Sequence, residues 1–190
     1  MPEWLWTART GRKEKYIMTN KTLNLAITAL MSAVLCVISP LSIPIGTVPI
    51  SLTTMFIIIG VFLIGPIKMS ISVLIYILIG VVGLPVFANF ESGPGVIAGP
   101  TGGYIVGYVV LALVSGAIAY KDINNIRYAI IGLVAGNLLE YAIGTAWLSY
   151  SMQLTFVNAL MIGVVPFVIA DVIKMALATY LGKIIRRRIK

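Results

Sequence analysis

The chain has 190 residues, 59% of them hydrophobic and 11% charged, with a mean hydropathy of +1.03. A soluble domain of this size carries about 25% charged residues, so the composition excludes a water-facing globule and describes one integral membrane domain. The formal charge of +8 comes from residues flanking the apolar segments, with no basic helix and no interleaved aromatic patch, which argues against nucleic acid as a partner.

Residues 1–17 hold Trp4, Trp6, Arg9, Arg12, Lys13, Glu14 and Lys15 without a sustained apolar face, and Met18 looks like a second start. They are expected to be an N-terminal extension, either an added leader or an interfacial segment, ahead of a membrane domain over 18–190. The first apolar segment, from about Thr22 to Ser39, is close to the ~20 residues that span ~30 Å of hydrocarbon. It lacks a cleavage-site pattern and reads as a retained helix. Ala26, Ala29 and Ala33 form a small-residue ridge along it, and the spacing of Ala29 and Ala33 permits close helix contact, ordinary bundle packing being one use of it.

The stretch from Pro40 to Pro49 has too many prolines for a helix and too many apolar residues for a solvated loop. Such backbone at a membrane edge must pack on protein, so it is expected to fold back over the bundle. A second helix is expected over about Ser51 to Gly65 and a third over about Met69 to Leu84. The Gly/Pro-rich run from Pro85 to Pro100, which contains Asn89, is long enough without its own secondary structure to be a gate.

A fourth helix opens at Thr101-Gly102-Gly103-Tyr104 and ends near Tyr120. Gly103 and Gly107 make a GxxxG ridge; Gly107 is assigned to packing, and Gly102 and Gly103 to a junction that aims backbone N–H groups at a ligand. No Gly-Lys-Ser/Thr follows, so the run is not a phosphate-binding loop. On a fifth helix, from about Tyr128 to Tyr150, Asn137, Glu140, Tyr141 and Gly144 share one face. A carboxylate and an amide there should face the bundle interior, as a clamp between helices or as ligand contacts.

The sixth helix is expected from Phe156 to the basic run Lys183-Ile-Ile-Arg186-Arg187-Arg188, distorted at Pro166. Asp171 and Lys174 lie on its one face at i, i+3. Each costs about 2.5–3.5 kcal/mol at the bilayer centre, and Lys174 is about 14 Å of helix from Lys183, too far to reach that surface comfortably. The two charges are expected to pair while the site is empty.

Chemistry on a covalent substrate has no carrier. The chain has no histidine and one cysteine, Cys36, which removes Ser/His and Cys/His catalysis and zincin motifs. An aspartyl mechanism needs two membrane aspartates, and only Asp171 is found. The expectation is therefore no enzyme, no metal and no cofactor.

Six crossings place both termini on one side. All of the 14 Lys and Arg residues except Lys174 then fall on that side, which the positive-inside rule makes cytoplasmic. The proline loop and the gate loop are thereby placed outside, over a cavity floored by Asp171, Lys174, Asn137 and Glu140.

Gly99-Pro-Thr-Gly-Gly-Tyr104-Ile-Val-Gly-Tyr108, taken with Pro166-Phe-Val-Ile-Ala-Asp171-Val-Ile-Lys174, resembles the BioY family from about Met18 onward. These are the biotin-specific S components of energy-coupling factor (ECF) transporters. The resemblance implies a six-helix substrate-binding subunit of the cell membrane that captures biotin on the extracellular side. It also implies a transmembrane coupling subunit and two cytosolic ATPases as partners, with docking through small residues that map to Ala29 and Ala33.

Biotin presents two ureido N–H donors, an apolar ring and a carboxylate. Asp171 can accept the N–H bonds and Lys174 can meet an oxygen. Asn137, Glu140, Tyr104 and Asn89 are the further candidate contacts. Competing readings are a proton-coupled secondary transporter, disfavoured by the lack of an evident internal repeat, an S component for another solute, and an assembly subunit whose charges make only an internal salt bridge.

Overall fold

The structure, a computed structural model, describes residues 4–43, 48–121 and 125–189. It is built almost wholly of helix: α1 (Trp4–Ile38), α2 (Thr53–Ile64), α3 (Pro66–Val82), the short α4 (Pro94–Ala98), α5 (Gly102–Ala119), α6 (Ile126–Ser151), α7 (Phe156–Gly163) and α8 (Val168–Ile189). The backbone of residues 4–20 is helical and continuous with α1, while residues 1–3 of the expected extension lie outside the described residues.

Among the described residues three helices have the length and apolarity to cross a membrane: the Lys21–Ile38 part of α1, α5 and α6. The pair α7 and α8 makes a fourth if it is counted as one span bent by 52°. α2 and α3 are apolar but shorter, at 12 and 17 residues; a 12-residue helix covers about 18 Å.

Several boundaries differ from expectation for local reasons. α3 begins at Pro66, not Met69, because a proline at the first helical position loses no intrahelical bond, and Gly65 at φ +89° turns the chain between α2 and α3. The expected single last helix is two. Pro166 has no N–H to give to Ile162, and the turn over residues 164–167 separates α7 from α8. The Pro85–Pro100 loop is not structureless: it holds a 3-10 turn at Ala88–Phe90 and α4.

The proline-rich loop forms a small antiparallel ribbon, β1 (Ser42–Ile43) with β2 (Ile50–Ser51), in the register Ser42 to Ser51; residues 44–47 of this loop lie outside the described residues. Asn89, at φ 57°, ties the two loops together. Its N–H donates to Ser42 Oγ and its Oδ1 accepts from the same hydroxyl, each at 2.9 Å.

Helices α5 and α6 pack antiparallel through glycines. A Cβ at Gly103 would fall 2.3 Å from Trp147 Cβ, at Gly107 3.0 Å from Glu140 Cγ, and at Gly132 2.5 Å from the Ser115 carbonyl oxygen. Close approach of neighbouring elements requires glycine at both Gly103 and Gly102. A Cβ at Gly102 would collide with the Ile97 carbonyl at 1.7 Å, and its N–H already donates to Gly99 O. Gly132→Val is expected to destabilise the protein by about 1–3 kcal/mol or more, because the obstacle is backbone that cannot swing away. Thermal unfolding in detergent checks this; an unchanged midpoint would contradict the packing described.

α1 packs on α3 through hydroxyls instead. Ser32 Oγ donates to Ser72 O and Ser72 Oγ donates to Thr28 O, while Ser39 Oγ meets Tyr76 Oη at 2.5 Å. Thr53 Oγ1 donates to Ser39 Oγ and shares a hydrogen bond with Ser51 Oγ, so β2, α2, α1 and α3 join in one buried network. With little hydrophobic driving force between helices in lipid, such close contacts and interhelical bonds hold the bundle. Ala26, Ala29 and Ala33 take no part in this seam; they are exposed on α1.

Candidate functional site

The break before α8 determines where its charges sit. Asp171 lies in the first turn of α8, where the helix dipole favours a carboxylate, and its N–H donates to Phe167 O at 2.8 Å. Lys174, one turn on, donates from Nζ to Asp171 Oδ1 at 2.9 Å. Tyr141 on α6 donates its hydroxyl to Asp171 Oδ2. Asp171 and Lys174 are 8% and 9% exposed, so the expected empty-site pair is present and well enclosed.

These side chains floor a narrow cavity of about 40 Å³. Its roof is Val48 to Ser51 from the proline-rich loop; Tyr104 and Tyr108 come from α5, Glu140 and Tyr141 from α6, and Phe167 from the break. Val48 and Pro49, at the end of the proline-rich stretch, thus lie over the polar site, as its composition led one to expect.

Two polar atoms on the wall are buried without a partner, Glu140 Oε2 and Thr54 Oγ1. Buried polar groups are rarely left so, and leaving one unmade costs about 1–3 kcal/mol. Glu140 is 3% exposed and is held against α5 at Gly107. A cavity with one ion pair and a spare acceptor on the facing wall suits a small solute that carries both donors and a charge.

The other expected site residues are placed differently. Tyr104 lies on the cavity wall with its ring against Gly144, and its hydroxyl donates to Gly163 O at 3.1 Å, satisfying a carbonyl freed at the α7 break. Asn137 is buried one turn from Glu140, with Oδ1 also lacking a partner, but it does not line this cavity. Asn89 is exposed in the loop pair above.

Tyr141, Tyr108, Thr54 and Phe167 belong to the lining although no ligand role was assigned to them from sequence. A tyrosine adjacent to Glu140 on an otherwise apolar helix was the available signal for Tyr141. Thr54 had none, because a threonine in an apolar run usually bonds within its own helix.

A helical membrane bundle that closes a loop over one small cavity holding a buried ion pair has the features of a membrane protein that binds a polar solute. A model of the BioY family matches residues 12–190. The chain is 35% identical over 170 residues to biotin transporter BioY2 of Lactococcus lactis, covering 87% of this chain and 91% of that one. It is 37% identical over 153 residues to biotin transporter BioY of Thermotoga maritima, covering 80% and 89%. A crystal structure described as the S-component for biotin from an ECF-type ABC transporter superposes with a TM-score of 0.80 at 29% identity, covering 89% of this chain and 93% of the other. The chain belongs to the BioY family, and it is a multi-pass membrane transport protein, not an enzyme.

Proposed function

We propose that this chain is the biotin-capturing subunit of an ATP-driven vitamin importer, working with a transmembrane coupling subunit and two cytosolic ATPases. The observation that carries the reading is the enclosed Asp171–Lys174 pair facing Glu140 Oε2, an unpaired buried acceptor, across one cavity. Biotin supplies what that cavity lacks. Its ureido N–H groups suit Asp171 and Glu140, its carboxylate or ureido oxygen suits Lys174, and its apolar ring suits Phe167 and the tyrosine faces.

The proposed topology has six crossings, with α2 and α3 as short ones and the bent pair α7 and α8 as the last. Both termini are then cytoplasmic, and the ribbon and the Pro85–Pro100 loop face the exterior. A cavity of about 40 Å³ is far below the ~300 Å³ of small ligand pockets, so capture requires the Val48–Ser51 roof to lift. Asn89 is the residue that couples this roof to the gate loop through Ser42. Asn137 is one turn away from the ligand as a supporting group.

Calorimetric titration of the detergent-purified chain alone, with biotin and with an analogue lacking the carboxylate, tests the reading. Saturable 1:1 binding of biotin without ATPases or coupling subunit is expected, with weaker binding of the analogue. Absence of heat and of thermal stabilisation by biotin in folded protein would reject biotin as the solute. Concentrative uptake by the chain alone in vesicles bearing a proton gradient would instead establish a secondary transporter.

A further inference from the structure

A second cavity, of about 600 Å³, lies between α6 and α8 on the far side of the polar site. It exists because α6 packs on α5 while α8 packs on α2, leaving α6 and α8 joined by the Tyr141–Asp171 bond and splayed below it. Ile130 and Val134 of α6 face Val172, Ala176 and Tyr180 of α8 across the gap. From Val172 to Ile184 the groove follows about 18 Å of helix, close to the ~15 Å of hydrocarbon in one leaflet.

Its open end is basic. Ile126, the first lining residue of α6, is followed by Arg127, which is exposed and whose guanidinium makes no ion pair among the described residues. Lys121 is exposed in the turn that precedes α6. No acidic residue lines the groove. An apolar slot as deep as one leaflet, ending in cationic residues, is complementary to an acyl chain that carries an anionic headgroup.

We propose that the α6/α8 groove is a binding site for an anionic phospholipid, whose acyl chain fills the space between Val134 and Ala176 and whose headgroup meets Arg127. The proposal is independent of which solute the polar cavity takes, since the two sites share no lining residue.

The test is native mass spectrometry of the full chain in mild detergent, after incubation with phosphatidylglycerol or with phosphatidylcholine of the same acyl chains. The wild type is expected to retain one phosphatidylglycerol and no phosphatidylcholine. Arg127→Gln should lower retention about fivefold or more by removing the headgroup partner. Ala176→Phe and, from the opposite wall, Val134→Trp should do so by filling the groove, with unchanged thermal unfolding as the control for folding. Equal retention of the two lipids, or retention of phosphatidylglycerol untouched by both filling variants, would show annular lipid only and overturn the proposal. A dimer that the filling variants dissociate, or a co-isolated membrane subunit that they displace, would equally overturn it by naming protein as the occupant.

Discussion

Removing both charges of the Asp171–Lys174 pair is expected to abolish high-affinity biotin binding while leaving the protein folded. The two single variants cannot separate the roles. Lys174→Met leaves Asp171 buried with only Tyr141 as a donor, and breaking one side of a buried pair costs about 3–5 kcal/mol of stability whatever the function. The double variant Asp171→Asn with Lys174→Met removes that penalty, since a neutral amide and an apolar chain of similar volume can occupy the same space.

Its stability should therefore recover most of what the Lys174→Met single loses. Affinity should not recover, because each charged hydrogen bond to ligand contributes about 1.5–3 kcal/mol. Two of them correspond to a loss of about 100-fold or more. The readouts are thermal unfolding of ligand-free protein and calorimetric titration with biotin. A folded double variant that binds biotin as tightly as wild type would reduce the pair to an internal clamp. Tyr141→Phe, which deletes only the hydroxyl held by Asp171, should weaken binding by a smaller factor, about fivefold to tenfold for one bond of about 1–1.5 kcal/mol.

The second large effect is expected on uptake rather than on binding. Ala29 and Ala33 are exposed on α1 while Thr28, Ser32, Leu35 and Ser39 make its contact with the rest of the chain. A ridge of small residues turned outward lets another helix approach closely, and the proposed coupling subunit is the helix that would use it. Ala29→Trp with Ala33→Trp should lower biotin accumulation in cells co-producing the partner subunits by about tenfold to 100-fold, from ~1–3 kcal/mol of overpacking. Titration of the purified variant should match wild type. Leu23→Trp, at an exposed apolar position about 120° around α1 from Ala29, is the control for mere bulk facing lipid. Normal accumulation in the double tryptophan variant, or loss of binding by the isolated chain, would dismiss the docking role.

Much of the site was legible along the chain because charge in hydrocarbon is costly enough to be conspicuous. Asp171, Lys174 and Glu140 stood out by being ionisable in apolar segments, and helical spacing alone put the first two within reach of each other. The prolines between Pro40 and Pro49, too apolar for water, pointed to a chain folded over the bundle, and Val48 to Ser51 do roof the cavity. Helix order and most boundaries followed from apolar runs of suitable length.

What sequence could not supply came from contacts between elements distant in the chain. That Gly102 and Gly103 also admit the close approach of Ile97 and Trp147 could not be read along the chain. The tether that Asn89 makes from one loop to the other through Ser42 was equally invisible. Tyr104 gives its hydroxyl to the Gly163 carbonyl at the α7 break, a partner 59 residues away.

The sequence by itself determined that the protein lives in a membrane, that it holds a pair of opposite charges there, and that it has no histidine and a single cysteine. Composition and period are local quantities, and the bilayer enforces them residue by residue. Only the tertiary structure decided which polar atoms meet. The 52° bend between α7 and α8 turns Asp171 toward Tyr141, and the glycine seam of α5 and α6 brings Glu140 to the same cavity. Those positions depend on the packing of whole helices, whose crossing points no single segment encodes.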